Sequence, residues 1–317
     1  MVKKYIIGVD FGATFIKLGL VGLNGNIAKK SIFPASDFKS KDTLISKIVR
    51  EVNSLIVKKK DILGIGIGVP GPVDHEKGII YNLTNLKGWR DVPLRSILVK
   101  RLKLPVFMDN DANAAALGEL EWGAAKGFSD MVYITLGSGL GGGVVIDGKV
   151  YRGRGYSAAE LGHICIERKG LRCNCGSIGC LETFTGAGYI NKEATRRLRR
   201  GEKSILLKLA GGRYSAITPR LISEAAKRKD RFSIRFWQEL GINLGIGLAG
   251  IVNIFNPEII VIGGGVSKAG NLIFDSMNSA IRRRAMPIFT KGLKIKRAKF
   301  ISDAGTVGAA ALVKNSL

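Results

Sequence analysis

The chain has 317 residues, enough for a large core and, by ordinary domain size, for two domains. With 46% hydrophobic and 24% charged residues, and 42 glycines against 8 prolines, it falls outside the fibrous and disordered classes and reads as globular, with many tight turns. Its net charge of +25, from 50 Lys and Arg against 25 Asp and Glu, sets it apart from acidic proteins and favours anionic ligands.

Residues 4–9 and 16–22 are β-rich runs on either side of a glycine turn at 10–14, and a third short run precedes Ser31. A signal peptide has no room before this first strand, and no run of about 18 apolar residues follows, so a cytoplasmic protein without membrane spans is expected. Residues 42–58 place Leu44, Ile45, Ile48, Val52, Leu55 and Ile56 at helical spacing with Asp42 as N-cap, and 64–69 reads as a buried strand ending at Pro70-Gly71-Pro72. A strand after a helix implies a parallel pair. A second helix over 94–102, a short strand over 106–108 and a helix from near Asp111 continue the alternation.

Residues 131–150 then read as two strands around a glycine-rich turn, repeating the opening unit. The repeat predicts a duplicated fold with a ligand cleft between halves, divided into 1–115 plus the C-terminal helix 303–317, and 116–302. Helices dominate 186–255, where Gly241, Gly245, Gly247 and Gly250 each cost about 1 kcal/mol relative to Ala unless close packing needs them. Residues 258–267 form a buried strand leading into a glycine turn. Residues 192–235 carry 14 basic and 4 acidic side chains, and 268–299 carry 9 against Asp275 alone. These runs read as solvated helix faces in preference to a nucleic-acid surface.

Asp10-Phe11-Gly12-Ala13-Thr14, with Lys17 three residues on, suits a hairpin-type phosphate loop. Glycine admits backbone N–H groups to phosphate, Thr14 and Lys17 add a donor and a charge, and Asp10 can hold Mg²⁺ through water. The same residues also fit an ordinary hairpin turn. Thr135 to Gly143, containing Gly137, Ser138 and Gly139, occupies the equivalent place in the second half, and a paired loop is hard to attribute to chance. Gly263-Gly264-Gly265 follows a buried strand where a nucleotide's base or ribose can lie on bare backbone. In VFMDNDANAAALGE (106–119) a strand ends in carboxylates, the place where α/β proteins bind ligands. Asp111 there suits a general base on an attacking hydroxyl, and Asn110 and Asp111 equally suit helix caps.

Three of the four cysteines, Cys173, Cys175 and Cys180, lie within eight residues and ten beyond His163. One nitrogen and three sulfurs form a closed set for structural Zn²⁺; a disulfide and a redox pair are the alternatives, and Cys165 is expected to be a core thiol. Glu160 and Glu182 flank the loop, and carboxylates held there suit bidentate hydrogen bonds from the vicinal hydroxyls of a sugar.

Taken in order, DFGATFIK, GVPGPVD, Asn85-Leu86-Lys87-Gly88-Trp89, DNDANAAALGE, TLGSGLGGG, ELGH, CNCGSIGCLE and VNIFNPEIIVIGGGV resemble the ROK sugar kinases over essentially the whole chain, most closely the bacterial-type glucokinases among them. The resemblance implies an α/β fold of the actin-like, hexokinase-like (ribonuclease H-like) kind and ATP-dependent phosphorylation of a hexose, glucose first. N-acetylmannosamine, N-acetylglucosamine and fructose are the alternatives. It implies Asp111 as general base on the 6-hydroxyl; Asn110, Glu160, His163 and Glu182 as sugar contacts, with Gly71 lining the sugar; and Asp10, Gly12, Thr14, Lys17, Gly137, Ser138 and Gly139 on phosphates and Mg²⁺. In such proteins the ELGH histidine touches sugar through one ring nitrogen and zinc through the other. A homodimer or homotetramer is expected.

Repressors similar to these kinases carry an N-terminal helix-turn-helix; a first strand at residue 4 and complete phosphate loops favour the kinase. Ala13 stands where the family has glycine, tolerable at negative φ, so altered ATP affinity at most is expected. The basic excess has no counterpart in the resemblance.

Overall fold

The computed structural model describes residues 4–12, 14–38, 40–83 and 88–317. The expectations for Ala13 and for Asn85, Leu86 and Lys87 lie outside the described residues. The chain forms two compact units: Met1–Tyr133 with Gly143–Ala159 and Ala298–Leu317, and Ile134–Gly142 with Glu160–Arg297.

In the first unit β1 (Tyr5–Phe11) pairs antiparallel with β2 (Phe15–Gly22), and β3 (Ile27–Pro34) extends the sheet beyond β2. After α1 (Lys41–Leu55), β4 (Ile62–Val69) returns parallel to β1, as the strand-helix-strand order requires. The helix is capped by Ser40, whose hydroxyl oxygen accepts the Thr43 N–H at 3.3 Å; Asp42, expected as the cap, sits in the first turn, where it still complements the helix dipole. A small sheet of β5 (Val73–Asp74), β6 (Ile79–Asn82) and β7 (Arg90–Val92) leads to α2 (Leu94–Leu102) and β8 (Val106–Asn110), which lies parallel to β4. Leu44, Ile48 and Val52 of α1 and Leu98 of α2 fill one core with Ile7, Val9, Ile65 and Ile67 of the sheet.

The helix after β8, α3 (Asp111–Trp122), packs against the terminal helix α11 (Ala304–Lys314). Bare backbone lets α11 lie directly on the sheet: a Cβ at Gly8 would collide with Thr306 O and one at Gly66 with Ala309 O. The boundary expected after residue 115 would cut α3, which runs unbroken to Trp122 and keeps its contacts with α11.

The strand pattern recurs with β9 (Met131–Leu136), β10 (Leu140–Ile146) and β11 (Lys149–Val150). Beyond them come α4 (Glu182–Thr185), α5 (Ala187–Arg199), α6 (Leu206–Leu209), α7 (Pro219–Lys227), α8 (Arg231–Phe255), β12 (Ile259–Gly263), α9 (Asn271–Arg284), α10 (Pro287–Thr290) and β13 (Lys294–Arg297). The strand orders β3-β2-β1-β4-β8 and β11-β10-β9-β12-β13 are the same pattern twice, which is the duplication the repeated strand-turn-strand motif implied.

By length and composition α8 suffices to cross a membrane, against the expectation of no such segment. Gln238, Glu239 and Asn243 interrupt its apolar run, which is why counting uninterrupted residues passed over it. Trp237, Leu244, Leu248, Ile251 and Val252 are fully buried, and the helix packs on α9 as a core element. Close packing accounts for three of its glycines: a Cβ at Gly241 would lie 2.5 Å from Ile273 O, at Gly245 2.6 Å from Met277 O, and at Gly247 2.6 Å from Leu181. Gly250 faces open space, and nothing in the structure explains it.

Candidate active site

In the first unit, β8 delivers three polar residues to the start of α3. Asn110 is the cap: its side-chain oxygen accepts the N–H of Ala112 at 2.9 Å and of Asn113 at 3.3 Å, and its amide donates to Gly71 O at 3.4 Å. Gly71 presents that carbonyl from a left-handed turn at φ 85°, a conformation that favours glycine. Asp111, also a candidate cap, takes the Ala112 N–H at 2.8 Å and stands on the first helical turn. Beneath them Asp109, 2% exposed, accepts from the Asn110 N–H at 2.7 Å and Asn113 Nδ2 at 3.0 Å. Its other oxygen receives Arg152 Nε at 2.8 Å and Nη2 at 2.7 Å. Sequence reasoning passed over Arg152, whose place 43 residues along carries no local signal; the first aspartate of DNDAN was the visible half of the pair.

The β1–β2 register sets Asp10 opposite Lys17, with Nζ 3.5 Å from Oδ2. Burial pushes the Asp10 carboxyl above the ordinary range, and Lys17 pulls it down. A Cβ at Gly305 would lie 2.5 Å from Asp10 Oδ2 and 2.7 Å from Oδ1, so α11 leaves the carboxylate its space. That glycine was also passed over by sequence reasoning. Gly12 ends the strand, and Thr14 is exposed, its carbonyl accepting from the Ala35 N–H at 2.9 Å. Trp89, from the quoted Gly88-Trp89 motif, packs edge-on to Phe11 at 4.9 Å.

In the second unit, Gly137 donates to Gly139 O at 2.9 Å across Ser138, and Ala187 at the start of α5 donates to Gly137 O at 3.0 Å. Glu182 Oε2 accepts the Leu140 N–H at 3.0 Å, and a Cβ at Gly139 would collide with that carboxylate. The glycine turn and Glu182 are therefore one packed assembly. Gly264 sits at φ 82° against the Leu136 backbone, and Gly265 faces open space.

The histidine and three cysteines come together: the ligand atoms of His163, Cys173, Cys175 and Cys180 lie within 4.8 Å of one another. His163 Nδ1 is 3.6 Å from Cys173 Sγ, and Cys175 and Cys180 sulfurs are 3.7 Å apart, so the thiols are free. The other ring nitrogen of His163 points to Glu160, Nε2 to Oε2 3.9 Å, and Cys173 Sγ lies 3.6 Å from Glu182 Oε1. Burial pushes the Cys180 thiol up to about 12, so a bound cation is what would ionise it; a backbone hydrogen bond from Ser177 lowers Cys175. Cys165, expected in the core, is exposed on the bridge strand opposite Cys180.

The ROK family model matches residues 6–316. The chain is 37% identical to a glucokinase of Thermotoga maritima, over 100% of this chain and 99% of that one. Among solved structures, a ROK family glucokinase from Streptomyces griseus in complex with glucose and AMPPNP superposes with a TM-score of 0.81 at 34% identity, covering 98% and 99% of the two chains. A ROK family transcriptional regulator, a homolog of the E. coli MLC protein, superposes with a TM-score of 0.89 at 30% identity, over 98% of this chain and 78% of that one. These likenesses confirm the actin-like, hexokinase-like two-domain fold class expected from the motifs. The chain belongs to the ROK family.

Proposed function

We propose that this protein is an ATP-dependent hexose 6-kinase acting on glucose. The observation that carries the reading is His163, which turns Nδ1 to the thiol cluster and Nε2 toward Glu160, so that the cluster orients a sugar-facing histidine between two carboxylates. The full-length likeness to proteins named glucokinase supports it.

The proposed sugar contacts are Glu160, His163 and Glu182 in the second unit, and Asn110, Asp111 and Gly71 in the first. Asp111 accepts the 6-hydroxyl proton as that oxygen attacks the γ-phosphorus of ATP, and ADP leaves. Asn110 caps α3, and the Asp109–Arg152 pair fixes Asn110 from below. Gly12, Thr14, Lys17 and the Gly137-Ser138-Gly139 turn receive phosphate oxygens, and Gly264 and Gly265 border the ribose. Asp10, a partly buried carboxylate of raised pKa with Gly305 making room beside it, fits a water-coordinated Mg²⁺, which would neutralise phosphate charge.

The cluster fits zinc. Tetrahedral Zn²⁺ with Zn–S of about 2.3 Å and Zn–N of about 2.0–2.1 Å places sulfurs about 3.8 Å apart and nitrogen about 3.6 Å from sulfur, against the observed 3.7 and 3.6 Å. Reduced thiols and the use of ATP agree with a cytoplasmic enzyme.

Gly139→Ala drives a methyl into the Glu182 carboxylate. The expected outcome is a KM for sugar raised about tenfold or more, the worth of one charge-assisted hydrogen bond; an unchanged KM would separate Glu182 from the sugar.

The reading is tested by initial rates of the purified protein with Mg-ATP on glucose, mannose, fructose, N-acetylglucosamine and N-acetylmannosamine. Glucose should exceed the others in kcat/KM. Tight glucose binding without turnover on any sugar would instead favour a sugar-sensing regulator, in line with the likeness to the transcriptional regulator.

A further inference from the structure

Of the two histidines, His163 is taken up by the thiol cluster and the sugar side, and His75 has no part in either. His75 follows β5 in a turn built around Asp74, whose buried carboxylate accepts the N–H groups of Glu76 at 3.0 Å and Lys77 at 2.8 Å. Arg95 fastens the same turn by donating to His75 O at 2.6 Å and to Glu76 O. Four donors fix the turn, so His75 stands on a rigid support.

The His75 ring packs edge-to-face with Tyr156, centroids 4.6 Å apart and planes at 75°. Its Nδ1 is buried with no hydrogen-bond partner among the described residues. Burial, and then the Arg152 charge, lower its pKa against the opposing pull of Asp109, Glu76 and Asp74, so the ring packs in its neutral form.

Tyr156 belongs to a loop over 152–158 that is closed at its neck, where the Ala158 N–H donates to Arg152 O at 3.0 Å. At the same neck Arg152 grips Asp109, which in turn takes the Asn110 N–H. Beyond the loop Ala159 turns the chain at φ 65° directly into Glu160. One loop thus joins the support beneath Asn110 to a proposed sugar carboxylate. Tyr156 itself sits at φ 60°, next to Gly155 at 70°, where a bulky side chain is rarely found. Such a backbone persists only where its surroundings hold it. The His75 ring supplies that hold, with the Glu76 carboxylate facing the Tyr156 hydroxyl and raising its pKa.

We propose that His75 and Tyr156 form a latch that holds the 152–158 loop on the 74–77 turn and so positions Glu160 for the sugar. His75, Tyr156 and Arg152 all lie in the first unit, and His75 is a positioning residue that acts through Glu160. This rests on the hexose kinase reading and deepens it.

The test uses His75→Ala, His75→Phe and Tyr156→Gly. Loss of the ring pair in His75→Ala should weaken glucose binding, read by calorimetry, about three- to tenfold, with kcat and the KM for ATP near wild type. His75→Phe keeps a ring against Tyr156 and should retain wild-type affinity. Tyr156→Gly relieves the left-handed backbone while removing the ring. The latch predicts the same loss there as in His75→Ala, and a double variant no worse than either. Hydrogen exchange reads the latch without ligand: the Ala158 amide at the loop neck should exchange about three- to tenfold faster in His75→Ala. Unchanged glucose affinity in His75→Ala and Tyr156→Gly, a loss that His75→Phe fails to restore, or a kcat that falls along with affinity would overturn the proposal. Wild-type protein that binds no glucose would fail the kinase reading, and Ala158 exchange would then decide whether the latch holds the loop, an unchanged rate overturning it.

Discussion

Asp111→Ala should lose at least about 10²–10⁴-fold in kcat, the range a general base contributes, while glucose binding stays measurable by calorimetry. The cap of α3 is Asn110, whose oxygen takes the Ala112 and Asn113 N–H groups, and Asp111 shares the Ala112 N–H at 2.8 Å. Removing a cap costs about 1 kcal/mol, and that cost falls on Asn110→Ala, so thermal melting should drop more for Asn110→Ala than for Asp111→Ala. The other proposed sugar contacts, Glu160, His163 and Glu182, lie on other elements. Near wild-type turnover in Asp111→Ala would remove the residue from the mechanism.

Cys175→Ser should yield protein with about one zinc fewer per chain and a KM for glucose about 10–100-fold higher, the usual scale for disturbing the groups that orient a site. A structural zinc contributes on the order of 10 kcal/mol to local folding. A zinc bound here would fix His163, whose two nitrogens divide between the thiols and the Glu160 side, and Glu182, which Cys173 approaches at 3.6 Å. Cys175 is exposed and outside the core, so its replacement leaves the packing around α8 intact. Hydrogen exchange should report a loosened 163–182 segment with the rest of the second unit protected. Zinc content and glucose KM both unchanged in Cys175→Ser would refute the metal role of the cluster.

The sequence showed most where local chemistry repeats. The two glycine turns between β-rich runs announced the duplicated sheet, and the spacing of His163, Cys173, Cys175 and Cys180 brought four ligand atoms to within 4.8 Å. Helix capping was harder, because Ser40 and Asp42 both suit a cap and only the extended backbone at Ser40 decides between them. Long-range partners were out of reach: Arg152 on Asp109 and Gly305 beside Asp10 are set by how distant segments fold back, which local propensity does not encode. The glycines of α8 fall between these cases. Their number signalled close packing, and the structure names the partners of Gly241, Gly245 and Gly247 while leaving Gly250 facing open space.

The most direct test of the kinase reading is phosphorus NMR of the purified protein with Mg-ATP and glucose. The account predicts ADP and a sugar phosphomonoester appearing in equal amounts, the new signal split by the two protons on carbon 6, with no such signal when 6-deoxyglucose replaces glucose. ADP with inorganic phosphate and no sugar phosphate, or a phosphoester on any other carbon, would contradict it.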